Sequence, residues 1–308
     1  LAAARSAFDG PVELARTEPA YDEMASKFFE HFIGIAEAMN TVGGSGLWDE
    51  QDGFYYDQLH IPNGPQEPLR VRSMVGLLPL AAVEILDEGV IDRLPKFKQR
   101  MRWFLDNRPD LAGRVATSSR GRSLLAIPSR AQLQRIFAYL FDTDEFLSPF
   151  GLRSLSRVHE AEPFVFRHNG DSFDVTYTPG ESVTGLFGGN SNWRGPIWLP
   201  VNYLVIEALE RYHRFYGTDL RVELPTRSGN WVTLREAARE LRRRLVSLFT
   251  IGANGRRPCH GDDAFYDRPA NRDLVLFHEY FDPETGRGLG ASHQTGWTAL
   301  VARLLEDI

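Results

Sequence analysis

At 308 residues with 43% hydrophobic side chains, the chain is long enough to build one large core, and its net charge of −6 leaves no broad basic surface for a phosphate backbone, which excludes nucleic acid as the expected partner. The single cysteine, Cys259, rules out an internal disulfide and makes a reducing compartment, the cytoplasm, the simpler expectation. No apolar run reaches the ~18 residues of a membrane span and no basic-then-apolar leader is visible, while Leu1 in place of a methionine implies a natural start further upstream.

From Pro19 to Asn40, the residues Met24, Phe28, Phe32, Ile35 and Met39 fall three or four apart, which predicts a helix with that face buried. Gly43, Gly44 and Gly46 end it. Leu47-Trp48-Asp49, Gly53 to Asp57 and Leu59 to Ile61 then flank the turn signal Pro62-Asn63-Gly64 and read as a short extended excursion. Helical patterns resume over Ser73 to Leu86, Lys96 to Asn107 and Ser129 to Phe141. Phe150 to Asn192 is poor in periodicity and reads as loop, with a short hairpin around Phe173 to Tyr177. Leu204, Val205, Ala208, Leu209 and Tyr212 form one helical stripe, and Leu234, Ala238, Leu241, Leu245 and Leu248 form another, with Arg239, Arg242, Arg243 and Arg244 assigned to its solvated face. A last helix spans Thr295 to Leu305 after Gly286, Gly288 and Gly290. Helix pairs joined by glycine-rich, aromatic-bearing loops suit an all-α toroid or solenoid, read here as one domain over residues 1–308, and no fixed repeat period is present.

Four clusters carry chemistry. In Asn190 to Trp198, amides and Arg194 can bond hydroxyls directionally while Trp193 and Trp198 cover the apolar face of a sugar ring; the bland reading is a helix start with two core tryptophans. In Phe277 to Trp297, the carboxylate of Glu279 sits among aromatics, where it can deprotonate water for attack on an anomeric carbon. Asp282 and Glu284 read as turn acids, and His278 and His293 match no metal-ligand spacing. In Trp48 to Asp57, followed by Arg70, Arg72 and Ser73, Arg72 and Asp57 are candidates to clamp one another or a ligand; the Gly and Glu spacing of a calcium loop is absent. His260 to Asp263 with Tyr266 and Asp267 is a fourth polar patch, equally consistent with a loop turn.

Taken together, the runs GLWDEQDGFYYD (46–57), VRSMVGLLP (71–79), NWRGPIW (192–198) and EYFDPETG (279–286) resemble the C-terminal half of glycoside hydrolase family 63, from about Pro19 to the end, with bacterial mannosyl-oligosaccharide glucosidase-like members nearest in kind. Trehalase-like and mannosylglycerate hydrolases share the Trp-Arg-Gly-Pro element. The resemblance implies an (α/α)6 barrel, hydrolysis of α-glycosidic bonds with inversion, and Glu279 as base. It also implies a sugar site including Trp193, Arg194, Trp198 and Trp297, to which the clusters add Trp48, Tyr56, Asp57, Arg72, Asn192 and His293 as candidates; hydrolysis by two carboxylates requires no cofactor, and no metal is expected. One element is absent: the family's general acid lies in a Gly-[Leu/Met]-Asp-Asn run upstream of the first helix found here, and Leu1 to Glu18 departs from the family pattern. The expectation is a fragment whose barrel is incomplete at its N-terminal end and whose acid belongs to a missing portion of the same polypeptide, the isolated chain then being nearly inactive. Two other readings stay open: a sugar isomerase or epimerase using His278 or His293, and a non-catalytic carbohydrate-binding scaffold.

Overall fold

The computed structural model describes residues 20–41, 46–61, 64, 66–108, 115–118, 121–180 and 194–306. They form helices and many short antiparallel strands, grouped into two compact units: Leu1–Leu69 with Gly76–Ile136 and Arg211–Asp219, and Arg70–Val75 with Phe137–Glu210 and Leu220–Ile308. None of the described helices is long and apolar enough to cross a membrane.

The first unit opens with α1 (Ala20–Asn40). Its buried face is not the expected one: Asp22, Ala25, Phe29, Phe32, Ile33, Ala36 and Asn40 point inward, while Met24 is 43% exposed and Ile35 37%. The stripe of largest side chains is displaced because a polar pair, Asp22 and Asn40, belongs to the interior. Asp22 accepts from the backbone N–H groups of Lys96 and Phe97 at 3.0 and 2.9 Å. Those are orphan donors in the first turn of α2 (Pro95–Asn107), so an acid on one helix caps the next. Phe29 meets Phe97 and Phe104 edge to face at 5.5 and 5.7 Å. Asn40 accepts from the Tyr55 hydroxyl and the Gln132 amide, each at 2.9 Å, which satisfies its side chain inside the unit.

Between these helices lie the hairpins β1 (Trp48–Asp49) with β2 (Phe54–Tyr55) and β3 (Asp57–His60) with β4 (Gln66–Leu69). The expected helix over Ser73 to Leu86 is instead a 3-10 turn at Met74–Ala81 followed by β5 (Val83–Asp87). Pro79 and Gly76 weaken an α-helix there, and a Cβ at Gly76 would lie 2.3 Å from the Phe54 ring. Strand β5 pairs with β7 (Arg122–Ala126), which also pairs with β6 (Val115–Ser118), and α3 (Arg130–Leu140) follows.

The second unit contains the small hairpin β8 (Leu147–Ser148) with β9 (Gly151–Leu152). The loop expected over Phe150 to Asn192 carries a longer hairpin than the residues suggested, β10 (Phe164–His168) with β11 (Asp171–Val175). Its turn is Asn169-Gly170, both at positive φ, an Asn-Gly hairpin signal that fixes the register. Helix α4 (Leu199–Tyr216) presents Val205, Ile206, Ala208 and Leu209 inward. After β12 (Arg221–Glu223) and β13 (Trp231–Thr233), Thr233 and Glu236 form a capping box for α5 (Leu234–Ser247), whose predicted apolar stripe is fully buried. Arg242 is a correction: it is 5% exposed and its guanidinium reaches Glu210 at 2.7 Å, because it lies one residue from Leu241 on the buried stripe. The final helix is two short ones, α6 (Thr295–Thr298) and α7 (Val301–Leu305), separated by tighter i to i−3 bonds such as Leu300 N–H to the Trp297 carbonyl. The described residues are therefore helix-rich with small strand pairs rather than purely helical.

Candidate active site

The site is built on the hairpin of β14 (Tyr280–Phe281) and β15 (Gly288–Leu289). Phe281 exchanges backbone hydrogen bonds with Ile197 at 2.8 and 3.0 Å, so the segment ending in Trp198 is laid against the one beginning at Glu279. Trp198 consequently stacks on Tyr280 with centroids 5.2 Å apart, and Trp297 meets Trp198 edge-on at 5.7 Å. The Trp297 indole nitrogen is buried with no acceptor among the described residues.

Glu279 is held twice by one residue. Its N–H donates to the Ala291 carbonyl at 2.8 Å, and its Oε2 accepts from the Ala291 N–H at 3.1 Å. The link passes over Gly290, where φ is +66° and a Cβ would fall 2.8 Å from Oε2 and 2.6 Å from the Tyr280 ring. Only glycine meets both demands. Among the described residues no hydrogen bond to Oε1 is formed, which leaves that oxygen available to a water.

Next to Glu279 in the chain, burial, with His260 and His293 nearby, holds the His278 ring below the ordinary histidine range, which favours its neutral form. Its ring covers Gly288, and its carbonyl accepts from the Thr298 hydroxyl at 2.6 Å, tying α6 to the hairpin. His293 is exposed and bridges to Phe277 as a parallel neighbour. Arg194 is 5% exposed; its carbonyl accepts from Thr178 N–H at 2.7 Å, and Gly195 N–H donates to the Ser154 hydroxyl at 2.9 Å. Asn192 and Trp193 lie outside the described residues.

Arg72 finds a partner that the sequence did not suggest. Its guanidinium pairs with Glu145 at 3.0 Å and lies over the Tyr139 ring. Glu145 also accepts from Ser156, and burial, opposed by that bond and by Arg72, pushes its carboxyl above the usual carboxylate range. The Arg72 N–H donates to His159 Nε2 at 3.0 Å, while His159 Nδ1 faces the Glu162 carbonyl, an arrangement that needs a neutral ring. In the first unit, Trp48 donates its indole N–H to Glu50 and packs edge-on against Tyr55 at 4.9 Å. Tyr56 is buried and donates to Asp52 at 3.0 Å, whereas Asp57 is exposed at the start of β3.

The residue that sequence reasoning missed altogether is Arg153. It is 2% exposed and donates to Glu284 at 2.8 and 2.9 Å, to the Tyr177 hydroxyl at 3.0 Å, and to the carbonyls of Thr143 and Leu147 at 3.0 and 2.6 Å. Tyr177 in turn donates to Glu284 at 2.7 Å. Glu284, read as a turn acid, is thus an anchor: burial raises its carboxyl, but the Tyr177 hydroxyl and Arg153 outweigh it and hold it below the usual range. Asp282 does make the turn, its Oδ1 accepting from the N–H groups of Glu284 and Thr285. Arg153 sits in a stretch with no periodicity, so nothing in the sequence marks it. Among the described residues no group of three or more His, Cys, Asp or Glu side chains is arranged to hold a metal.

Residues 121–298 match the mannosylglycerate hydrolase MGH1-like glycoside hydrolase domain, a span that contains Trp198, Glu279 and Trp297. The uncharacterised protein YMR196W of Saccharomyces cerevisiae is 45% identical over 96% of this chain and 29% of its own length. The mannosyl-oligosaccharide glucosidase of the same yeast is 25% identical over 59% of the chain and 16% of its length, and a probable mannosyl-oligosaccharide glucosidase of Schizosaccharomyces pombe is 27% identical over 57% and 15%. The chain thus spans less than a third of each curated relative. A family 63 mannosylglycerate hydrolase from Thermus thermophilus, solved with glucose, aligns over 96% of this chain and 46% of its own at 17% identity and a TM-score of 0.37. With more than half of its residues inside the matched domain, the chain belongs to the mannosylglycerate hydrolase MGH1-like glycoside hydrolases of family 63.

Proposed function

We propose that this chain supplies the catalytic base and much of the sugar-binding surface of an inverting, α-glucosidase-like hydrolase acting on an oligosaccharide or small α-glycoside. The observation that carries the reading is the Glu279 carboxylate, tethered through Oε2 and open at Oε1, next in the chain to Tyr280, whose ring stacks on Trp198, which in turn meets Trp297 edge-on. The open oxygen deprotonates water while the indole faces take the apolar side of the sugar. Inversion requires a carboxylic acid ~6.5–9.5 Å from the base to protonate the leaving oxygen. That acid belongs to an upstream portion of the polypeptide, which also completes an (α/α)6 toroid around the site. Two carboxylates suffice for the chemistry, so no cofactor enters. Arg194, Arg72, Trp48, Tyr56, Asp57 and His293, with Asn192 and Trp193, are the remaining candidates for the sugar site. The lone Cys259 fits a cytoplasmic setting.

The test is hydrolysis of α-linked disaccharides and α-glycosyl fluorides by the chain and by a version extended upstream, each with and without Glu279→Gln. Fluorides need little acid assistance, so the short chain should turn them over weakly and leave disaccharides intact. The extended protein should cleave both, and Glu279→Gln should lower its rate by about 10²–10⁴-fold. An extended protein inactive on the whole panel, or indifferent to Glu279→Gln, removes the assignment.

A further inference from the structure

At the turn end of the β14–β15 hairpin, away from Glu279 along the strands, lies a cleft of about 880 Å³. A smaller one of about 240 Å³ adjoins it, and the two share Asn254, Arg256, Arg257 and Gly261. The guanidinium groups here are unlike others in the same unit. Arg72, Arg153, Arg242 and Arg244 each have a carboxylate within 3.0 Å. Arg256 is likewise paired with Asp267. Arg257, with only 15% of its side chain exposed, has nothing nearer than Asp273 at 4.0 Å, and that carboxylate is itself 89% exposed. Its Nε is buried with no acceptor among the described residues. Arg287 lines the same cleft, its stem lying over Gly261, and forms no ion pair among the described residues.

A guanidinium largely withdrawn from water with no carboxylate nearer than 4.0 Å is costly, and an exposed guanidinium without an ion pair among the described residues lines the same cleft. We infer that the cleft is a binding site for a doubly charged oxyanion, a phosphate or phosphate monoester, held by Arg257 and Arg287. Two planar donor forks match the oxygens of a phosphate and its two charges, where a single carboxylate leaves one guanidinium unpaired. The Thr285 hydroxyl and Asn254 amide add neutral donors on the same wall. Asp282 and Asp262 also line the cleft; the Asp282 Oδ1 accepts from two backbone N–H groups, and Asp262 is fully exposed and lies 3.8 Å from Arg256. The site is independent of the glycosidase reading, since none of its ligands serves Glu279.

Titration calorimetry of the chain at low salt with inorganic phosphate, glucose 6-phosphate, glucuronate and glucose tests this. Saturable binding of phosphate or glucose 6-phosphate, absent for glucose and weaker for glucuronate, is expected. Equal affinity for the two phosphates identifies free phosphate as the ligand source, and preference for glucose 6-phosphate identifies a phosphorylated polyol. Arg287→Ala, an exposed substitution that leaves the fold intact, should weaken binding by about tenfold or more, and Arg257→Lys should weaken it while retaining a charge. Glu279→Gln should change nothing. Binding unaffected by Arg287→Ala, glucuronate binding as well as glucose 6-phosphate, loss of binding in Glu279→Gln, or no binding of either phosphate overturns the assignment.

Discussion

Arg153 shows how a single residue can organise a site it does not touch chemically. Removing its carboxylate by Glu284→Gln leaves a nearly inaccessible guanidinium half-satisfied, at an expected cost of about 2–4 kcal/mol, moderated because Glu284 itself is 34% exposed. Tyr177→Phe removes only a hydroxyl shared by the pair and should cost about 1–2 kcal/mol. Chemical denaturation midpoints measure both, and equal effects from the two changes would contradict the hub. His159 gives a pH dependence. Its pKa is depressed by burial and its Nε2 must accept from Arg72 N–H, so protonation breaks that bond and sets a cation beside Arg72. The unfolded chain binds the proton more readily, so this contribution is complete above the ordinary histidine value of 6.5 and is lost as pH falls below it. Melting temperatures taken from pH 7.5 to 5.5 should therefore fall, and the fall should shrink in His159→Gln.

At the scale of elements, α1 and α2 are joined by a cap rather than by apolar contact alone. Asp22→Ala strips two amides at the start of α2 and should cost about 1–2 kcal/mol, with amide exchange rising first at Lys96 and Phe97. Exchange unchanged at those two amides contradicts the cap. That acid also explains what was and was not legible in the sequence. Periodicity located α1 and α2 and placed the stripe of α5 correctly, because on α5 the apolar residues alone define the buried face. On α1 the buried face includes Asp22 and Asn40, whose partners are Lys96, Phe97, Tyr55 and Gln132, and no local pattern reveals partners so far along the chain. The segment after Ser73 reads as helix from its leucines, but Gly76 is fixed by the Phe54 ring behind it and β5 by pairing with β7, both tertiary facts. Glu279 and the aromatic residues near it stood out by composition; the Ala291 tether and the Arg153 anchor did not, since each depends on a backbone register that only folding creates.

For the whole molecule, the proposed reading gives the chain a base, Glu279, and a proposed anion site, and assigns the second carboxylate needed for inversion to the rest of the polypeptide. On that proposal catalysis belongs to the longer protein, and the comparison of the short and extended versions on fluorides and disaccharides tests it. Two carboxylates acting together as proposed would make loss of either cost nearly as much as loss of both on substrates with poor leaving groups.

The tether between Ala291 and Glu279 makes the two oxygens of one carboxylate inequivalent. Oε2 accepts from an amide, so in the proposed reaction a proton taken from water goes to Oε1 and leaves again from that same oxygen before the next cycle. Acting as the proposed base, the carboxylate would be directional: a water approaching from the Oε2 side meets an acceptor already in use, and one approaching Oε1 does not.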